Sequence, residues 1–108
     1  MATSPSPDAI HLYRGDLPAH VTFSGSVAVD TETMGLNPHR DRLCLVQLSG
    51  GDGHAHLVQM PKGARAADCP NLVRVLADPA LPKLMHFARF DVGILQYTLG
   101  MTVAPAIC

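Results

Sequence analysis

Short apolar runs separated by turn signals set the rhythm of the first sixty residues. Ile10-His11-Leu12-Tyr13 alternates apolar and polar positions, a candidate short strand closed by the turn signal Arg14-Gly15-Asp16. Val27-Ala28-Val29-Asp30-Thr31 is a β-branched run that reads as a strand, and Gly35-Leu36-Asn37-Pro38 turns the chain away from it. Leu43-Cys44-Leu45-Val46-Gln47-Leu48 is apolar on both faces apart from Gln47, which predicts a strand buried on both sides. Ser49-Gly50-Gly51-Asp52-Gly53 is a strong turn, and His54 to Gln59 returns as the third strand of an antiparallel meander.

Beyond the loop from Pro61 to Pro70 the period changes. Asn71 can cap a helix whose Leu72, Val73, Val75 and Leu76 form the inward stripe, ending at Asp78 before Pro79. Lys83 to Phe87 reads as a fourth strand. A second helix runs from about Arg89 to Leu99 and stops at Gly100, with Val92, Leu95 and Leu99 on one face and Asp91 on its flank. Met101-Thr102-Val103 begins a further extended segment. The expected fold is α/β: a mixed sheet with an antiparallel three-strand meander, then α-β-α crossovers. Residues 1–9, with Thr3-Ser4-Pro5-Ser6-Pro7, read as a flexible tail. Residues 10–108 read as the front part of a larger domain, its C-terminal part missing, because no closing element follows Val103 to Cys108.

Composition narrows the partners more than the fold. Hydrophobic residues make up 47% and charged residues 16%, which argues for a folded chain. Aromatics are only 5% with no Trp, so the core must be aliphatic. A net charge of −1 lacks the basic excess of a long-duplex binder, but is compatible with an enzyme that holds a few nucleotides through metal ions. Cys44, Cys69 and Cys108 are odd in number and widely spaced, and read as reduced thiols with Cys44 in the core. No apolar run approaches the roughly 20 residues of a membrane span, and the expected location is cytoplasmic.

The chemistry gathers at two places. Asp30 and Glu32 lie one residue apart at the end of an apolar strand, so they share a face with Cα atoms roughly 6.5–7 Å apart. Left alone the pair repels, and a divalent cation is a natural remedy. Glu32 is the only Glu in the chain. The second place is His86-Phe87-Ala88-Arg89-Phe90-Asp91, a strand end passing into a helix start, where apolar neighbours suggest partial burial of Asp91. His39, Arg40 and Arg42 read as a solvated turn. His54 and His56 share a strand face, but no third ligand for zinc is evident.

Val-Asp-Thr-Glu with Gly-Leu after it, and His-Phe-Ala-Arg-Phe-Asp at a later strand-to-helix junction, resemble the first two motifs of the DEDD 3′–5′ exonuclease superfamily. Within it, Leu36 to Ser49 and Leu84 to Asp91 are similar to the ribonuclease D-like branch, and to its nanoRNase C group of small bacterial exoribonucleases acting on very short RNAs. The resemblance spans roughly Leu12 to Cys108. It implies an RNase H-like fold and assigns Asp30, Glu32 and Asp91 as catalytic, metal-binding carboxylates for two Mg²⁺ or Mn²⁺ ions. It assigns Thr31, Leu36, His86 and Arg89 to substrate, with Leu36 matching a leucine that wedges against bases. The implied substrate is short single-stranded RNA or a dinucleotide, cut from the 3′ end to nucleoside 5′-monophosphates, and the implied assembly is a homo-oligomer. The family also uses a fourth carboxylate and a tyrosine on a later helix, and neither Tyr13 nor Tyr97 lies in a Tyr-x-x-x-Asp motif. The expectation is therefore weak or absent hydrolysis by the 108-residue chain alone. The competing reading is a non-catalytic fragment that binds nucleotides or a partner chain without turnover.

Overall fold

The computed structural model describes residues 9–34, 42–86, 88–104 and 106–107, with the backbone alone described at 88, 89, 106 and 107. The expected N-terminal tail and the turn after Met34 lie outside these residues, with Phe87. The elements in chain order are β1 (Ile10–Arg14), β2 (Val27–Thr33), β3 (Leu43–Ser49), β4 (Ala55–Gln59), a 3₁₀ turn (Ala66–Asp68), α1 (Pro70–Ala77), β5 (Lys83–Leu84), α2 (Ala88–Leu99) and β6 (Ala106–Ile107). They form one mixed sheet in the order β1-β4-β3-β2-β5-β6. β2, β3 and β4 are the antiparallel meander, as expected. β1 lies parallel to β4 at one edge, and β5 and β6 run parallel beside β2.

Side-chain alternation on β2 divides the sheet into two unlike faces. Val27, Val29 and Thr31 are buried, whereas Ala28, Asp30 and Glu32 are exposed. The core gathers on the first face, where Val27, Val29, Val46, Leu48 and Val58 belong to one cluster with Leu72, Leu76, Ile94, Leu95 and Leu99 of the helices. β3 is not buried on both sides: Leu43, Val46 and Leu48 are buried, Cys44 and Leu45 are half-buried, and Gln47 is exposed. Leu45 and Gln47 lie on the open face beside Glu32 and Asp30, and a bulge resets the alternation at Cys44. Pairing passes from Glu32–Leu45 directly to Thr33–Leu43, so Cys44 is the extra residue and Leu43 joins the core face of Val46. Cys44 is therefore not a core residue. Cys69 is, and burial, reinforced by the negative field of Asp16 and Asp68, pushes its thiol up to about 11. Arg42 is more than a solvated tip: Nη2 donates to the Met60 carbonyl at 2.8 Å and fastens the start of β3 to the end of β4.

α1 begins at Pro70, so Asn71 is not its cap. Its free N–H groups are satisfied from 55 residues upstream, where Asp16 accepts from Asn71 N at Oδ2 (3.1 Å) and from Leu72 N at Oδ1 (2.7 Å). A side chain arriving from another segment does the work that a local cap does elsewhere. Asp16→Ala is expected to lower the unfolding free energy by about 1–2 kcal/mol, with Asp16→Asn losing less, measured by urea titration. Leu72, Val75 and Leu76 are buried as expected, while Val73 only flanks the core. The helix ends at Ala77 with Asp78 extended before Pro79.

β5 is shorter than the expected strand, because Met85 and His86 leave the ladder. α2 buries Ile94, Leu95 and Leu99, and stops at Gly100, whose φ is +70°. A Cβ there would meet only the guanidinium end of Arg65, which can move aside, so the left-handed φ is what favours glycine. The strand after α2 forms at Ala106–Ile107 rather than at Met101, and Val103 packs in the core instead.

Candidate active site

β2 carries Asp30 and Glu32 out on the open face of the sheet, opposite Gln47 and Leu45 of β3. Asp30 Oδ1 accepts the Thr31 N–H at 2.9 Å, which fixes that carboxylate beside its own backbone. Thr31 points the other way, 9% exposed, and its hydroxyl donates to Asp91 Oδ1 at 2.5 Å. Asp91 sits in the first turn of α2 and is 4% exposed. Its Oδ2 is buried and finds no hydrogen-bond partner among the described residues. Burial raises the Asp91 pKa, the Thr31 bond opposes the rise, and the negative field of Asp30 and Glu32 adds to it.

The three expected carboxylates therefore feel one another across β2, two on its open face and one tied to its covered face. Among the described residues, no three His, Cys, Asp or Glu are gathered closely enough to enclose an ion. The donor chemistry still fits a hard divalent cation. A buried carboxylate oxygen with no donor is costly by about 1–3 kcal/mol, and a cation or a proton is what relieves it.

Beside Asp30 the open face holds a recess of about 230 Å³, lined by Ala28, Gln47, Ser49, Leu84 and His86 as well. Pockets that enclose drug-sized ligands run to roughly 300–1,000 Å³, so this recess is smaller than such a pocket. His86, expected to touch substrate, thus shares a recess with Asp30, and its positive field partly offsets the rise at Asp91. Gln47 and Ser49 enter the site without having been singled out. The signal was present, since Gln47 is the one polar position in an otherwise apolar run and pairs with Asp30. Leu36 lies outside the described residues. Arg89 is in the first turn of α2, and its side chain is outside them too.

The sequence matches the profile of the 3′-5′ exonuclease family over residues 16–108. The chain belongs to that family. Its relatives place it on one branch. It is 45% identical to Brucella melitensis NrnC bound to pGG, with a TM-score of 0.82 over 93% of this chain and 48% of that one. The same nuclease has also been solved with bound Mg²⁺. A structure described as the apo form of the nuclease is 46% identical, with a TM-score of 0.86 over 93% of this chain and 48% of that one. The ribonuclease D of Acidiphilium cryptum is 34% identical over 79 residues, covering 73% of this chain and 19% of that protein. The chain thus spans about half the length of the solved nucleases and about a fifth of the ribonuclease D relatives.

Proposed function

We propose that this chain carries the first three metal-binding carboxylates of a 3′–5′ exoribonuclease acting on short RNA, dinucleotides included. The observation that carries the proposal is the buried Oδ2 of Asp91, which has no donor among the described residues while Thr31 holds Oδ1 across β2 from Asp30 and Glu32. Asp30, Glu32 and Asp91 would hold divalent ions. When bound, such ions supply an activated water at neutral pH and stabilise the leaving 3′ oxygen, two of them acting as a clamp. The residues of the chain prepare for this. Thr31 engages one oxygen of Asp91 and leaves the other uncommitted. The Thr31 N–H holds one oxygen of Asp30 in the same way. His86 is placed to meet substrate on the Asp30 side, and Leu36 and Arg89 are proposed as further substrate contacts. The bound pGG of Brucella melitensis NrnC supports a dinucleotide-sized substrate here. Assembly into a homo-oligomer is part of the same proposal, and light scattering on the eluted peak tests it.

The activity test is release of nucleoside 5′-monophosphate from a dinucleotide, measured side by side for the 108-residue chain and for Brucella melitensis NrnC, of which it covers 48%. Any turnover by the chain should need Mg²⁺ or Mn²⁺, and chelator or Asp30→Ala should each stop it. Activity surviving Asp30→Ala contradicts the proposal. With no Tyr-x-x-x-Asp in its sequence, the 108-residue chain lacks a positioned base, and its rate should be lower by roughly 10²–10⁴-fold. That same absence favours the second reading, a chain that binds nucleotide without turnover. Tight dinucleotide binding by this chain in calorimetry, with no product formed, is its signature.

A further inference from the structure

β1 meets the sheet through β4 alone, and among the described residues no strand pairs its other edge. Its inward side chains, His11 and Tyr13, face His56 of β4 and His54 just before that strand. His11 Nε2 and His54 Nδ1 are 3.0 Å apart, as are Tyr13 Oη and His56 Nδ1. The rings lie nearly parallel. His11 stacks on His54 and His56 with centroids 5.2 and 5.0 Å away, and Tyr13 stacks on His56 at 5.9 Å. Phe23 closes the ladder with its edge against His56 at 5.7 Å. A third histidine thus joins the pair weighed for zinc, yet the rings stack rather than converge, and no metal-holding group forms there among the described residues.

A proton changes what such a ladder can do. An N–H···N bond needs one ring with a free lone pair, and an imidazolium has none. The His11–His54 bond lasts only while one of the two facing nitrogens keeps that lone pair. His56 lies against His11, so charge on both rings is repulsive at 5.0 Å. The other charged groups acting on His56 are Asp52, His54 and His20. Asp52 is a single acid at the exposed turn, where its Oδ1 is engaged by the His54 N–H at 3.0 Å.

We infer that β1 is fastened to the sheet by a ladder of uncharged imidazoles, and that protonating the ladder releases the strand. Burial, and then the field of His11, hold the His56 pKa below its ordinary value. A histidine with a depressed folded pKa stabilises the fold fully above the unfolded value of about 6.5, and loses that contribution as pH falls below it. Asp16 follows β1 directly, so release also loosens the cap on α1. This device is separate from the carboxylates and stands whether or not the chain binds RNA.

The test is amide hydrogen exchange on the 108-residue chain at about pH 7.5 and 5.5, corrected for intrinsic rates, with the NMR titration of each histidine beside it. Residues 10–14 should lose protection by about tenfold or more at the lower pH, while α2 changes by less than about twofold. His56 should titrate below about 6.5. In His11→Phe/His56→Phe, which keeps the rings and removes two charges, the loss at β1 should shrink to less than about threefold. Equal β1 protection at both pH values in the unaltered chain overturns the inference. So does a His56 titrating at or above the ordinary value, or an undiminished loss in the double variant.

Discussion

Asp91→Asn is expected to make the metal-free chain more stable, by about 1–2 kcal/mol, while removing its response to divalent ions. Asp91 is 4% exposed, and one of its oxygens has no donor among the described residues. An amide in its place leaves a neutral group short of a partner, which costs less than a charged one. Thr31 can still donate to the amide oxygen. The pH dependence follows from the raised pKa. A carboxylate whose folded pKa lies above its unfolded value of about 3.9 binds more protons folded, so the metal-free chain loses stability as pH rises through that interval. The gap between the two proteins should therefore close as pH falls toward about 4, with each ladder contribution cancelling in the difference. With Mg²⁺ the order reverses, because an ion at a hundred times its dissociation constant stabilises the unaltered chain by about 2.7 kcal/mol. Urea titrations of both proteins, with and without Mg²⁺, give all four values. A metal-free Asp91→Asn less stable than the parent contradicts the reading of Oδ2 as an unsatisfied ligand.

The second large effect lies away from the site. Lys83 is fully buried in β5, and its Nζ donates at 2.5 Å to the carbonyls of Asp78 and Ala104. These two bonds fasten the end of α1 and the segment after α2 to the strand that leads into His86. Burial lowers the lysine pKa, so the charge is held at a cost, with Asp78 partly supporting it. Lys83→Met should nevertheless lose about 1–3 kcal/mol, because removing the donor strips the Ala104 carbonyl of its partner and leaves the Asp78 carbonyl with the Leu81 N–H alone, while gaining little apolar burial. Thermal and urea unfolding measure it. Unchanged stability would mean that water reaches both carbonyls.

Lys83 also marks where sequence reading stops. The meander, both helices and the glycine stop at residue 100 were legible, because each rests on local pattern: alternation on β2, a helical stripe at Leu72, Val75 and Leu76, and a left-handed residue after Leu99. What was not legible depends on distant partners. No local rule sends Asp16 to the N-terminus of α1, or puts a lysine in the core under two carbonyls. The bulge at Cys44 breaks the alternation by one residue, which takes Cys44 out of the core where the sequence had placed it. The same holds for the site. Asp30 and Glu32 were visible as a same-face pair and Asp91 as a half-buried acid. Thr31 as the hydrogen-bonding link between β2 and α2 needed the structure, as did the recess that joins His86 and Gln47 to Asp30.

Asp30, Glu32 and Asp91 are proposed to act as one divalent-ion site. Titration of the 108-residue chain with Mn²⁺, followed by the loss of the free-ion EPR signal, tests it without depending on turnover. Saturable binding is expected in the parent chain, weakened at least about tenfold by Asp30→Ala and by Asp91→Asn alike, since each alters a proposed ligand carboxylate. Equal Mn²⁺ affinity in the parent and both variants would contradict it.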